Sequence, residues 1–395
     1  YVVTAMLTST DREELGELVR RIDAEFSNKT PAALLVQLAE LAGTSGDGAA
    51  VQAAVDAAAA AVAANRPHRF SALAALLSGF GRNPTTAKKR LTPRATQRLN
   101  ELIESALSVA TDSAADQVTR LEAINVIGRN PLATAQHART LSRLLSAEHE
   151  STLQVAAIDA LGMQSHDEVA EEILSAWPSF TPSLRARAVE ALLGRKQWAH
   201  ALIAAIENEA IPASQLDTAQ RARFVTYPDA EIRLLAERHF SLTATGERAA
   251  VLARYEKSKT GGDAARGKAL YQKHCAGCHE FRGAGSRVGP ALDASEFRAA
   301  ETMLREILDP NRAIDGRYAE YVAITTSGRV KNGILMEESG NAITLRGQQG
   351  EETRLLRSEL ESLTSTGKSL MPEGFEKDIP PADMADLLEY LCSPL

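Results

Sequence analysis

Cysteine is scarce in this 395-residue chain, which has only 3 against 8 histidines. Two of the three, Cys275 and Cys278, share one C-x-x-C, so only Cys392 is left over and no disulfide framework is available. Positive charge is also short. With 44 basic and 51 acidic residues the net charge is -7, which argues against a general nucleic-acid binder, because that needs a basic face. No apolar run reaches the roughly 20 residues that cross a bilayer. The nearest stretch, Ala49 to Ala64, is short, Ala-rich and interrupted by Asp56; it reads as a packed amphipathic helix. The chain opens at Tyr1 with no signal-peptide pattern, so it reads as a processed or truncated piece whose compartment must come from its chemistry. No nucleophile elbow, phosphate loop or paired-carboxylate arrangement appears, and no catalytic residue is assigned.

What is present is a soluble composition, 44% hydrophobic and 24% charged, on a chain long enough for two or three domains. From about residue 10 to 255 the apolar residues recur at helical spacing. "RLEAINVIG", "LQVAAIDALG" and "LRARAVEALLG" run to Gly128, Gly162 and Gly194. They align through Ala123-Ile124, Ala157-Ile158 and Ala188-Val189, with Ile232 to Phe240 as a degraded copy. The tetrapeptide GRNP follows an apolar run twice, at Gly81 and at Gly128, where glycine is expected to close a helix and proline to stop its continuation. A helical unit recurring every 30 to 35 residues buries its apolar face only by stacking on its neighbours. The expectation is an α-solenoid resembling HEAT repeats.

A polar, Gly-rich stretch, Glu256 to Gly267, marks a boundary. Helical patterns follow at 263–274 and 295–308. Between about Tyr318 and Leu363 the residues alternate apolar and polar, with turn signals at Ser327-Gly328, Gly340-Asn341 and Gln349-Gly350. That predicts four or five antiparallel strands, expected to form a small SH3-like or Sm-like barrel. A last helix starts at Pro380, Pro381 and Asp383.

The committed chemistry lies in "HCAGCH", from His274. C-x-x-C-H is the attachment signature of c-type haem. Thiols three apart on one helical turn, Cys275 and Cys278, both add to the vinyl groups, and His279 swings beneath the iron. A redox dithiol belongs between a strand and a helix, whereas a helix precedes this motif and a Gly-rich loop follows it. A structural zinc site wants four ligands, which so tight a cluster cannot wrap around one ion.

"GDAARGKALYQKHCAGCHEFRGAGSRVGPALD" resembles the first helix, haem site and following loop of class I cytochromes c. That resemblance implies that the carbonyl of Pro290 receives the other ring proton of His279, and that Gly267 and Tyr271 pack against Tyr390. No histidine follows His279, and downstream methionines are Met303, Met336, Met371 and Met384. Met303 sits in a helical pattern, Met336 in a strand pattern, and Met384 in the last helix, where core filling is usual. Met371 stands in a loop before Pro372, which looks like the distal ligand of that family. His279 and Met371 are thus the implied axial metal ligands.

Cys278 and Met371 lie 93 positions apart (371 minus 278), and the strand-rich stretch between them reads as an insertion. The whole carboxy-terminal part resembles a haem-binding domain family of planctomycetes and Verrucomicrobia, often fused behind HEAT-like repeats and a dehydrogenase propeller. The expected architecture is multidomain and mainly α. It comprises HEAT-like repeats over 1–255, a linker at 256–266, an all-α cytochrome c domain over 267–317 and 364–395, and a β-rich insertion over 318–363. The expected function is electron transfer through one covalent haem c, outside the cytoplasm, between a dehydrogenase domain or partner and an acceptor. A haem-based sensor or a protein- or polysaccharide-binding scaffold is the alternative. Arg282, Arg287, Arg298, Arg305, Arg312 and Arg317 gather near the motif as contacts for propionates or an acidic partner, with solvated surface as the default. His68, His137, His149, His166, His200 and His239 show no metal spacing, and Cys392 is expected to be buried.

Overall fold

The computed structural model describes residues 12–26, 32–216, 218–240, 246–293, 299–312 and 314–393. The chain is mainly helical with a small antiparallel sheet. It divides into two compact units. One comprises Tyr1–Ser146, Thr152–Ala176 and Glu190–Trp198, and the other Ala147–Ser151, Trp177–Val189 and Ala199–Leu395.

In the first unit the helices pack in two rows. Arg12–Phe26 lies on Gly48–Ala63, which lies on Pro93–Thr111. Beside them Ala32–Ser45 lies on Ser71–Phe80, which lies on Gln117–Arg129. Local chemistry starts several of these helices. Asp47 accepts from the amides of Ala49 and Ala50, and Thr92 accepts from Ala95 with Pro93 following it; such caps satisfy otherwise orphaned amides. Small residues then set the spacing. A Cβ on Gly43 would lie 2.9 Å from Cα of Gly79, and one on Gly128 would lie 2.6 Å from Cα of Ala160. The aligned pairs Ala123-Ile124 and Ala157-Ile158 are fully buried, as is Ala188-Val189 in the second unit.

One expectation is sharpened here and one changes. Helix Gly48–Ala63 buries most of its circumference, with Ala50, Val51, Ala53, Ala54, Val55, Ala57, Ala58, Ala59 and Ala61 inside, and leaves a narrow part-exposed stripe through Gln52, Asp56 and Ala60. The two GRNP copies also differ. Gly81 closes its helix at φ +69°, whereas Gly128 remains within Gln117–Arg129 and is small because Ala160 approaches it.

The second unit contains the sheet and the helices around "HCAGCH". A minimal ribbon pairs β1 (Glu280–Phe281) with β2 (Ala284–Gly285). Strands β3 (Ala319–Thr325), β4 (Val330–Glu338), β5 (Ala342–Arg346), β6 (Glu352–Leu356) and β7 (Leu360–Ser369) form an antiparallel sheet of order β6-β5-β4-β3-β7. Burial alternates strictly along β3, with Tyr321 and Ala323 inside, as a half-buried strand requires. Among the described residues this sheet is open, with β6 and β7 as unpaired edges, and not the closed barrel expected. Its apolar face is covered from outside the sheet by Ala147 and Ile314. The loop between β6 and β7 is tied down as well. Arg357 donates to the carbonyls of Ala147 and His149 and pairs with Glu338 at 2.5 Å.

The Gly-rich stretch after Tyr255 packs on the last helix, Pro381–Cys392. Ser258 donates to the carbonyl of Pro381 at 2.7 Å, and a Cβ on Gly262 would lie 2.1 Å from the carbonyl oxygen of Ala385. Glycine here serves close approach. Tyr255, Tyr271, Phe281, Leu304, Leu308, Met384 and Leu388 form the core of this region. The helical pattern expected from Ser295 begins, among the described residues, at Ala300 and ends at Leu308; Arg298 lies outside them.

Candidate functional site

Helix Ala264–His274 is started by Asp263, whose carboxylate accepts from the amides of Ala265 and Arg266. It delivers the cysteine motif at its far end. Its Gly267 fits only without a side chain, since a Cβ would stand 2.0 Å from the carbonyl oxygen of Asp386. Tyr271, 1% exposed, then forms a ring cluster with Phe281 (5.8 Å) and Tyr390 (5.8 Å). Asp386 holds the crossing together. It takes the Arg266 guanidinium at 2.6 and 2.8 Å and the amide of Asp263 at 2.6 Å.

The motif continues as a turn. The amides of Cys278 and His279 donate to the carbonyl of Cys275 at 3.0 and 2.9 Å, and the amides of Val288 and Gly289 return to the carbonyl of Cys278. Tyr271 locks the loop by donating its hydroxyl to the carbonyls of His279 (2.7 Å) and Ala284 (2.8 Å). Burial pushes that phenol up to about 12, with the Cys275 thiol adding to the shift.

His279 is oriented through Nδ1, which lies 2.8 Å from the carbonyl oxygen of Pro290. A carbonyl only accepts, so Nδ1 carries the proton and Nε2 keeps its lone pair. Burial lowers the pKa of this imidazole, and the Pro290 bond partly opposes it. Gly289 makes the ring's position available, because a Cβ there would come within 2.5 Å of Cε1. Cys275 and Cys278 are half-buried free thiols. Burial, with Cys278 as a second cause, pushes Cys275 up to about 12, and burial raises Cys278 as well. Two reduced thiols and an imidazole preset to offer Nε2 form a donor set that fits a thioether-linked haem with a nitrogen ligand.

Met371 follows β7. Its amide donates to Ser369 Oγ at 3.2 Å, and it packs half-buried on the same apolar cluster as Cys275 and Ala276. Met303 and Met384 are buried within that cluster, and Met336 is exposed on β4.

One contributor could not be read from the chain. The turn between β5 and β6 reaches the motif, where the Gln348 carbonyl lies 3.6 Å from Cys278 Sγ and Arg346 donates to the carbonyl of Arg287 at 2.7 Å. Cys278 also packs on Val288, Ile334 and Leu370. Residues 278 and 348 are 70 apart in sequence, so no spacing rule connects them. Most of the nearby arginines already face local carboxylates. Arg287 pairs with Glu280, Arg305 with Glu301, Arg312 with Glu306 and Arg317 with Asp315. Arg282 instead lies over the rings of Phe281 and Tyr390. Cys392 is half-buried against the core. The histidines lacked metal spacing in sequence, yet the fold brings ligand atoms of His200, Asp229 and Glu231 within 4.8 Å of one another. The Asp229 carboxylate there also caps helix Ala230–His239.

Residues 264–338 match the cytochrome c family. This part of the chain is a cytochrome c domain, a class that carries haem c as cofactor and haem-based electron transfer as its general activity. The match ends before Met371 and the last helix. Among curated proteins none matches the chain. No helix among the described residues is long and apolar enough to cross a membrane.

Proposed function

We propose that the chain carries one covalent haem c, tethered by Cys275 and Cys278, with His279 and Met371 as axial ligands, and that it relays single electrons. The observation that carries this reading is the His279–Pro290 contact within the C-x-x-C-H turn, which leaves Nε2 free to ligate. The bound haem supplies a one-electron iron couple. Pro290 makes His279 a stronger donor by accepting the Nδ1 proton. Met371 is favoured over the other methionines because it alone leaves the strand-and-helix scaffold while sharing the apolar cluster with Cys275. A haem held by His279 and Met371 would have an imidazole and a thioether donor, a pair that would raise its potential and suit electron transfer over ligand sensing. Val288, Ile334, Leu370 and the Gln348 turn keep water from the Cys278 side.

The two-row stacking of helices supports a HEAT-like solenoid within 1–255. The segment 256–266 then joins it to a cytochrome part, 267–317 and 364–395, interrupted by the sheet at 318–363. Haem c is assembled outside the cytoplasm, so the reading implies a periplasmic or secreted protein. The electron donor would be a dehydrogenase domain or partner.

The full chain, produced in a host that matures c-type cytochromes, should have the mass of the polypeptide plus one haem. Replacing Cys275 and Cys278 with Ala should remove that increment. Met371→Ala should abolish the far-red sulfur-to-iron band of the ferric form and open the iron to carbon monoxide. A colourless parent protein overturns the reading, and a surviving band overturns Met371.

A further inference from the structure

The GRNP motif has no role in haem binding, yet both copies line one cleft in the helical unit. Its walls include Arg82 and Gly81 from the first copy, and Gly128, Arg129, Asn130 and Pro131 from the second. The corresponding turn of the next repeat adds Met163, Gln164 and His166, and the cleft holds about 440 Å³. That lies within the size range of small-molecule sites, roughly 300–1,000 Å³.

Three features define what fits. First, the lining contains two arginines and a histidine and no carboxylate. Arg129 is held by neutral groups only, donating to Asn125 Oδ1 at 2.7 Å and to Ser78 Oγ. No ion pair engages Arg82 among the described residues, and Arg195 nearby has its pKa lowered by burial and then by the charge of Arg82, with Asp167 opposing. Second, Gln164 is only 3% exposed, and neither its side-chain oxygen nor its nitrogen has a hydrogen-bond partner. An amide buried without partners costs free energy that a ligand hydroxyl, donor and acceptor at once, can recover. Third, His166 uses Nε2 to donate to the carbonyl of Ala133 at 2.5 Å. The carbonyl only accepts, so Nδ1 is the ring atom left over.

We propose that this cleft binds a small hydroxylated organic anion, a sugar acid or a sugar phosphate. Its carboxylate or phosphate meets the guanidinium forks of Arg82 and Arg129, and a hydroxyl meets Gln164. Arginine forks match both anions. Leu77, Pro131 and Met163 offer apolar contact to the carbon skeleton.

The test is calorimetric titration of the full chain at low ionic strength with glucuronate, glucose 6-phosphate and glucose. Its readout is heat, so it is independent of the haem. One-to-one binding of glucuronate alone supports the carboxylate form, and of glucose 6-phosphate alone the phosphate form. Arg82→Gln and Arg129→Gln should each weaken the anion at least tenfold, while Arg139→Gln, an exposed arginine outside the cleft, should change nothing. Circular dichroism melts should show both cleft variants folded, since Arg82 and Arg129 are exposed. Binding of neither anion, equal binding of glucose, or binding undiminished in both variants overturns the proposal.

Discussion

Gly43 and Gly128 in the first unit and Gly262 and Gly267 in the second do the same job: each lets a helix meet another backbone closer than a Cβ allows. What hangs on the approach differs. In the helical unit each close contact sets one step of a stack, and the next step is set by another pair of small residues. Around the C-x-x-C-H turn one crossing, Gly267 on Asp386, fixes the helix that carries Tyr271 and leads to Cys275 and the turn to His279. The first arrangement spreads its tolerance over several similar contacts along the stack. The second concentrates it in a few residues with no substitutes nearby.

Three measurements sharpen or break that contrast. The largest effect should come from Gly267→Ala, whose Cβ would stand 2.0 Å from a buried carbonyl oxygen. A loss of about 3 kcal/mol in thermal unfolding and of haem incorporation is expected. Gly128→Ala should cost less, about 1–2 kcal/mol, because its Cβ would meet Ala160 of a neighbouring helix that can shift. Gly162→Ala meets Ala191 Cβ only at 3.1 Å and gains about 1 kcal/mol of helix propensity, so it should be near neutral. Equal losses at Gly267 and Gly128 would remove the distinction.

Asp386→Asn should act next, at about 1 kcal/mol, and should be visible in pH dependence. The hydrogen bond from Arg266, above all, holds this carboxyl below its ordinary value. The folded chain therefore takes up the proton less readily than the unfolded one. The stabilisation is fully present above the unfolded value of about 4 and is lost as pH falls through the folded value. Thermal melts of parent and variant between pH 7 and pH 3 should converge at the acid end; a constant gap would rule out the charge.

The smallest effect is expected at the strand insertion. The Gln348 side chain anchors the β5–β6 turn by donating to the carbonyl of Leu370 at 3.3 Å; in haem-free protein, Gln348→Ala should loosen the turn and speed alkylation of Cys278 a few-fold while leaving Cys392 unchanged, as read by mass spectrometry. No change at Cys278 would mean that the β5–β6 turn does not shield it.

Helix content, the strand-rich stretch and the cytochrome c domain were legible from the chain because each rests on a local signal. Periodicity, a cap residue, or a fixed spacing reports on residues within one or two turns. The open sheet was read as a barrel because strand pattern shows alternation but not whether edge strands meet. The two GRNP copies looked alike because four letters cannot reveal that Gly81 turns the chain while Gly128 receives Ala160.

Sequence by itself determined that residues 264–338 form a cytochrome c domain with Cys275, Cys278 and His279 in one short motif, since that motif is a matter of local spacing. Only the tertiary structure decided how they are set. It brought Pro290 to His279 Nδ1, Gln348 to Cys278, and the arginines of two separate turns to one cleft. Those meetings depend on backbones approaching across tens of residues, where close contacts of glycine and the desolvation of buried amides choose the partner and local pattern is silent.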